Sequence, residues 1–293
     1  MARANQFDVI VCGSLHLDIV VKAHALPRLD ETAVGSSWTQ VCGGKGGNQA
    51  VQAARAGART AMIGRIGSDG FGDALLEHLV AASVDVQAVG RDGVRGSGMS
   101  VAILQNDGEY GAVIVSGANT AIDPATLPEI WAALGGTKVL VLQNEVPHAV
   151  NVAAAEAARK AGALVVFNAA PARTAMADLL KNVDVLVVNR VEAEALAAVP
   201  VTDRTSARGA LTALGQGQRA VVVTLGGSGL VISPESGAVI EIEALPVKVT
   251  STHGAGDCFV GVLAARLSGG ASLIDACHMA NAEAAAFVSR LHS

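Results

Sequence analysis

Several short stretches of this chain combine small residues with polar side chains able to do chemistry. Near its end, Ser251-Thr252-His253-Gly254-Ala255-Gly256-Asp257 leads into an apolar, Ala-rich run from Phe259 to Leu267. Gly254, Ala255 and Gly256 therefore sit where a loop turns into a helix. Free backbone N–H groups at such a point favour a multiply charged anion, and the helix dipole adds to them. Asp257 is out of place in that role, because a carboxylate repels phosphate; it suits a proton acceptor instead. An anion hole beside a base is what phosphoryl transfer to an alcohol needs.

Cys42-Gly43-Gly44-Lys45-Gly46-Gly47-Asn48-Gln49-Ala50 is a second Gly-rich segment, and it opens a helix. It is no Walker A loop, since Lys45 is followed by Gly46 rather than Ser or Thr. Nor does Gly13-Ser14-Leu15 continue into a dinucleotide fingerprint. The plain alternative is a tight turn capping the helix; Lys45 and Asn48 among four glycines favour a ligand approached closely by backbone. Asp18, soon after the first strand pattern, is either a hydroxyl acceptor or a solvated turn residue. Glu145 in Gln143-Asn144-Glu145 either binds a hydroxyl or caps the helix that follows. Asn189 and Glu192 share one side of a first helical turn, as holders of a hydrated Mg²⁺ or as an N-cap with its capping-box glutamate. Thr224-Leu225-Gly226-Gly227-Ser228-Gly229 either lets a nucleotide lie against the backbone or makes a plain hairpin into Leu230–Ile232. The seven histidines show no zinc-binding spacing.

The elements that must position these residues follow a rhythm. Apolar, β-rich runs at Asp8–Cys12, Ala61–Ile66, Val139–Gln143, Leu164–Asn168, Val185–Asn189 and Ala220–Leu225 predict strands. Helical patterns fall at Gly47–Ala56, Phe71–Ala82, Pro147–Ala161, Val191–Ala198, Thr205–Leu214, Asp257–Leu267 and Ser272–Arg290. Continuously apolar strands alternating with helices predict a parallel sheet covered on both faces. Ile19–Gln40 and Ser97–Val115 break the rhythm with strand-like segments, and Asn106-Asp107-Gly108-Glu109 carries a hairpin signature. They predict a small β-flap formed from about 14–40 and 97–116. Without a Pro/Ser linker, low-complexity tract or repeat, one domain over 1–293 is the economical expectation.

Composition sets outer limits. The 293 residues are 51% hydrophobic and 16% charged, enough apolar material for a large core. A formal net charge of −5 argues against nucleic acid as a partner. Cys12, Cys42, Cys258 and Cys277 are scattered without metal spacing and read as buried thiols in a reducing compartment. No uninterrupted apolar run is long enough for a membrane span, and the first residues carry no signal-peptide core. The expectation is a soluble, cytoplasmic protein.

Taken together and in order, the segments resemble the ribokinase-like (PfkB) family of sugar kinases. The resemblance rests on Gly13-Ser14…Asp18, Gly43 to Ala50, Gly64…Gly67-Ser68-Asp69-Gly70-Phe71-Gly72, Ser116-Gly117-Ala118-Asn119, Asn168 to Arg173, Asn189…Glu192, Thr224-Leu225-Gly226 and Gly254 to Asp257. It implies a three-layer α/β/α fold with a mostly parallel sheet and a β-sheet lid, often paired with a second lid in a homodimer. It implies transfer of the ATP γ-phosphoryl group to a hydroxymethyl group of a small sugar, ribose first. Asp257 would be the base, and Gly254, Ala255 and Gly256 the anion hole. Asp18, Gly44, Lys45, Asn48 and Glu145 would hold the sugar. Asn189, Thr224, Gly226, Gly227 and Asn281 would serve the nucleotide, with Asn189 and Glu192 organising Mg²⁺ through water.

Three departures from the family pattern stand out. His16 replaces the asparagine usual in the ribose-phosphorylating branch, which points to an altered sugar contact. Ser251 stands where an aspartate of the monovalent-cation site is expected, and the sequence given stops at Ser293, before the family's further cation ligands. Weak or absent K⁺ activation is the expectation. Fructokinase, 2-keto-3-deoxygluconate kinase and nucleoside kinase activities, or a non-catalytic sugar or nucleotide sensor, are the rival readings. With one Tyr, two Trp and five Phe, an aromatic wall for a nucleobase is scarce, and Asp18, Asn48 and Glu145 suit a polyol.

Overall fold

The first strand, β1 (Phe7–Cys12), sends Val9 and Val11 into one hydrophobic core and Ile10 and Cys12 into another. That alternation, possible because successive strand side chains point to opposite faces, places β1 in the middle of the molecule. The computed structural model describes residues 6–105, 110–174, 176–215, 219–234 and 238–290.

Along the chain, β2 (His16–Ala23) and β3 (Gly35–Gly43) lead into α1 (Lys45–Arg55), β4 (Thr60–Gly67), α2 (Gly70–Ala81) and β5 (Val84–Asp92). Next come β6 (Gly98–Gln105), β7 (Tyr110–Val115), α3 (Leu127–Leu134), β8 (Thr137–Gln143), α4 (His148–Lys160), β9 (Leu164–Asn168) and α5 (Ala177–Leu180). The remainder is β10 (Val185–Asn189), α6 (Arg190–Ala197), α7 (Arg204–Leu214), β11 (Ala220–Thr224), β12 (Leu230–Ser233), β13 (Ile240–Ile242), α8 (Ala255–Ser268) and α9 (Leu273–Ser289).

Nine strands form one sheet in the order β13-β12-β11-β10-β9-β8-β1-β4-β5, parallel from β11 to β5 and closed by antiparallel β12 and β13. The core holding Ile10 and Cys12 includes Leu127, Val150, Ala154, Ala193 and Leu211 from α3, α4, α6 and α7. The core holding Val9 and Val11 includes Ala50, Leu75, Leu263 and Ala280 from α1, α2, α8 and α9. The result is the expected α/β/α sandwich. Because β1 has β4 on one side and β8 on the other, the order reverses beside it, and ligands of open α/β sheets bind at such a reversal.

The flap residues form a separate sheet, β3-β2-β6-β7, with β2 and β6 parallel and the outer pairs antiparallel. Its strand β3 continues to Gly43, past the expected limit near 40, and hands the Gly-rich segment straight to α1. The hairpin signal at Asn106–Glu109 lies outside the described residues.

Some elements escaped sequence reading. Strand β5 sits at the sheet edge with mostly half-exposed side chains, so its sequence lacks the continuous apolar run of its neighbours. Helix α3 is eight residues long with proline in its first turn, too short for a clear period.

Candidate active site

The parallel strands end on one edge, and their carboxyl ends deliver Gly13 and Ser14 after β1, Asn144 and Glu145 after β8, Asn168 on β9, Asn189 on β10 and Thr224 on β11. Of these, Asn168, Asn189 and Thr224 line a cavity at this edge, the edge at which ligands of open α/β sheets bind.

Helices α1 and α8 close the crevice by packing at short range. Gly261 on α8 makes this possible: a Cβ there would lie 2.6 Å from Gln49 O and 2.9 Å from Ala53 N. The approach brings Asn48 and Gln49 onto Asp257. Asn48 Nδ2 donates to Asp257 Oδ2 at 3.0 Å, and Gln49 Nε2 donates to Oδ1 at 2.9 Å. Asp257 is the third residue of α8, after Gly254, which takes the left-handed conformation (φ 77°) needed at the helix entry. Burial raises its pKa, against the Lys45 charge and the two amide donors, while Glu145 raises it further. A buried carboxylate of raised proton affinity, held by neutral donors, is suited to taking a proton from an alcohol.

The entry to α1 is held from outside the helix. Gly44 adopts φ 83°, and no side chain of its own segment caps the first turn. Instead Glu145 Oε2 accepts from Lys45 N at 2.9 Å and from Ser14 Oγ at 2.5 Å. Glu145 thus caps α1, one hundred residues earlier, rather than the helix that follows it. This external cap also explains why α1 starts at Lys45, ahead of the expected Gly47. Gly46 is required by proximity: a Cβ would meet Ser14 N at 2.6 Å.

Beside Glu145, the buried ring of His16 places Nδ1 3.9 Å from Glu145 Oε2 and Nε2 3.3 Å from Asn119 Nδ2. The amide of Asn119 is oriented by Leu15, whose N–H donates to Oδ1 at 2.9 Å and whose carbonyl accepts from Nδ2 at 2.8 Å. Nδ2 is therefore a donor facing Nε2, which must accept, and the neutral ring carries its proton on Nδ1, toward Glu145. Asp18 lies on β2 opposite Ser100 of β6 and accepts from Ser100 Oγ at 2.5 Å.

A cavity of about 160 Å³ runs from Asp257 toward β10 and β11, lined among others by Lys45, Asn168, Asn189, Glu192, Thr224, Gly254 and Gly256. Lys45, expected with the sugar ligands, lines this cavity, which holds the glycine entry of α8. Asn189 and Glu192 form the capping box of α6: Asn189 Oδ1 accepts from Glu192 N at 2.9 Å, while Asn189 N and Nδ2 donate to the two Glu192 carboxylate oxygens at 2.8 and 2.9 Å. Both residues also line the cavity. Burial raises the pKa of Glu192, opposed by the donors of Asn189. Among the described residues no group of three or more His, Cys, Asp or Glu could hold a metal ion unaided.

Gly226 and Gly227 lie apart from the cavity lining, on the short 3-10 turn that makes β11 and β12 a hairpin. Asn281, on α9, is also outside that lining and donates from Nδ2 to Glu243 O at 2.9 Å. Four positions gain weight that sequence reading did not give them: Ser14, Gln49, Asn119 and Asn168. Each occurs in a recognised segment, but only their burial and hydrogen-bond partners 104 to 208 residues away in sequence single them out.

Residues 6–292 match the family described as pfkB family carbohydrate kinase. The ribokinase of Mus musculus is 36% identical over 262 residues, covering 87% of this chain and 80% of that protein. The ribokinase of Lactococcus lactis is 32% identical over 277 residues, 93% of this chain and 87% of that protein. The structure of Arabidopsis thaliana ribokinase complexed with ribose and ATP superposes with a TM-score of 0.90 at 27% identity, covering 98% of this chain and 94% of the other. The chain belongs to the pfkB family of carbohydrate kinases.

Proposed function

We propose that the chain is an ATP-dependent sugar kinase, with ribose as the first substrate to test. The observation that carries the reading is the buried Asp257 carboxylate at the glycine entry of α8, joined to Asn48 and open to the adjoining cavity. The sugar hydroxymethyl oxygen forms a bond to the γ-phosphorus, the bond to the ADP oxygen breaks, and Asp257 takes the hydroxyl proton. Ala255 N–H donates to Thr252 O at 3.2 Å, which leaves the N–H groups of Gly254 and Gly256 for the charge on the transferred group, and Lys45 adds its ammonium. Asp18, Gly44, Asn48 and Glu145 hold sugar hydroxyls; Thr224, Gly226, Gly227 and Asn281 lie toward the nucleotide.

Mg²⁺ would sit between the nucleotide phosphates and Glu192 with Asn189, through water. The donor set fits that role: each Glu192 oxygen accepts one bond from Asn189 and keeps a lone pair, and such hard oxygen sites leave Mg²⁺ most of its waters. When bound, the ion supplies charge neutralisation at the phosphates.

The β3-β2-β6-β7 sheet is assigned as a lid over the sugar and as a homodimer contact, a role supported by its exposed Trp38, Val113 and Ile114. Among the described residues no helix is long and apolar enough to cross a membrane, and all four cysteines are free thiols, which suits the cytoplasm. Weak K⁺ dependence is proposed from Ser251, a neutral hydroxyl already accepting from His253 N; a steep rate rise on adding K⁺ to a K⁺-free assay would count against it. ADP release measured over pentoses, ketohexoses, sugar acids and nucleosides tests the function. Turnover with a pentose is expected; turnover with nucleosides alone, or with nothing, overturns it.

A further inference from the structure

We propose that Gln49 is a positioning residue for Asp257 and that Gln143 holds Gln49 in register. The proposal rests on Asp257 being the base.

Gln49 is fully buried on α1, beneath the reacting edge of the site. Its Nε2 donates to Asp257 Oδ1 at 2.9 Å and to Asn168 Oδ1 at 3.1 Å, and its Oε1 accepts from Gln143 Nε2 at 2.8 Å. The amide has one workable orientation. Asn168 is itself fixed by donation from Nδ2 to Val187 O at 3.3 Å, so its Oδ1 must meet a donor. The carboxylate of Asp257 demands the same. Turning the Gln49 amide over would set its oxygen against the two acceptors Asp257 Oδ1 and Asn168 Oδ1, a buried mismatch.

Gln143 ends β8, in the middle of the sheet, and its backbone carbonyl accepts from Asn151 Nδ2 at 2.7 Å. Its side chain touches neither the cavity nor Asp257. The chain of bonds Gln143–Gln49–Asp257 thus ties the base to an interior strand of the sheet. Asn48 holds the other carboxylate oxygen, but Asn48 is also assigned to the sugar. Gln49, which has no assigned sugar contact, is the holder that fixes the carboxylate plane through Oδ1. A base misplaced by a fraction of an ångström loses rate rather than substrate affinity.

The test is steady-state kinetics of Gln49→Met, Gln143→Met, the double variant and Asp257→Asn, with ribose and ATP. Both single variants should lower kcat about 10- to 100-fold with sugar and ATP KM nearly unchanged. The double variant should fall no further than Gln49→Met, because Gln143 acts only through Gln49. Gln143→Met, which leaves Gln49 and Asp257 themselves unaltered, carries the same expectation should Gln49→Met fold poorly. Losses that multiply in the double variant, or KM rising with kcat intact, overturn the positioning role. If Asp257→Asn loses turnover while the glutamine variants keep theirs, the proposal alone falls; if Asp257→Asn keeps turnover, the base assignment falls with it.

Discussion

Asn48 Nδ2 donates to Asp257 Oδ2 at 3.0 Å, joining the first turn of α1 to the first turn of α8 across 209 residues of sequence. One contact therefore couples an expected sugar ligand to the expected base. Closing or loosening the α1–α8 contact moves both together.

Gly261→Ala tests that coupling. Its methyl group would press on the α1 backbone at Gln49 O and Ala53 N, which cannot rotate away. We expect a loss of about 1–3 kcal/mol in unfolding free energy, as for overpacked cores, together with a lower kcat. Urea unfolding and steady-state kinetics on the same variant check both; a lower stability with unchanged kcat would separate packing from catalysis.

Asp257→Asn should show the cost of a buried charge. Burial raises the Asp257 pKa in the folded state, so its stabilising contribution is present below the unfolded carboxylate pKa and is lost as pH rises through the raised folded one. The asparagine variant lacks this loss. Its melting temperature relative to the parent should be most favourable near neutral pH, and the difference should shrink on acidification. A pH-independent difference would contradict the raised pKa.

Glu192→Gln separates cap from metal. Glutamine at this position preserves a capping box, so the melting temperature should change little. The Mg²⁺ concentration for half-maximal rate should rise, because the carboxylate proposed to hold the metal's waters is gone. An unchanged Mg²⁺ titration would leave Glu192 as a helix cap only.

His16→Ala removes the ring that accepts from Asn119 and points Nδ1–H toward Glu145. We expect the sugar KM to rise about tenfold, one lost hydrogen bond's worth, with the ATP KM unchanged. His16→Asn should shift the ranking of pentoses in kcat/KM. If both variants keep the parent's sugar ranking and KM, His16 has no part in sugar recognition.

How far these residues were legible beforehand depended on distance in sequence. The strand and helix rhythm showed the sandwich because local periodicity encodes burial on two faces, as in Val9/Val11 against Ile10/Cys12. Asp257 stands out in the sequence because a carboxylate beside glycines at a helix entry is a local pattern. Glu145 was legible only as a polar strand end; that it caps α1 depends on a contact between β8 and the Gly-rich entry, which no local window contains. Gln49 reads as one more polar residue of a helix until its three partners, on β8, β9 and α8, are seen together. The edge strand β5 was missed for a related reason: half-exposed positions relax the apolar pattern that marks its central neighbours.

The most direct test of the account follows phosphorus. Incubating the protein with ATP, Mg²⁺ and ribose, and watching by ³¹P NMR, should show ADP and a sugar phosphomonoester growing in step; Asp257→Asn should bind ATP yet give almost none of either. ATP consumed without a phosphomonoester, or an Asp257→Asn variant as active as its parent, would contradict the claim that this buried carboxylate at the entry of α8 drives phosphoryl transfer to a sugar.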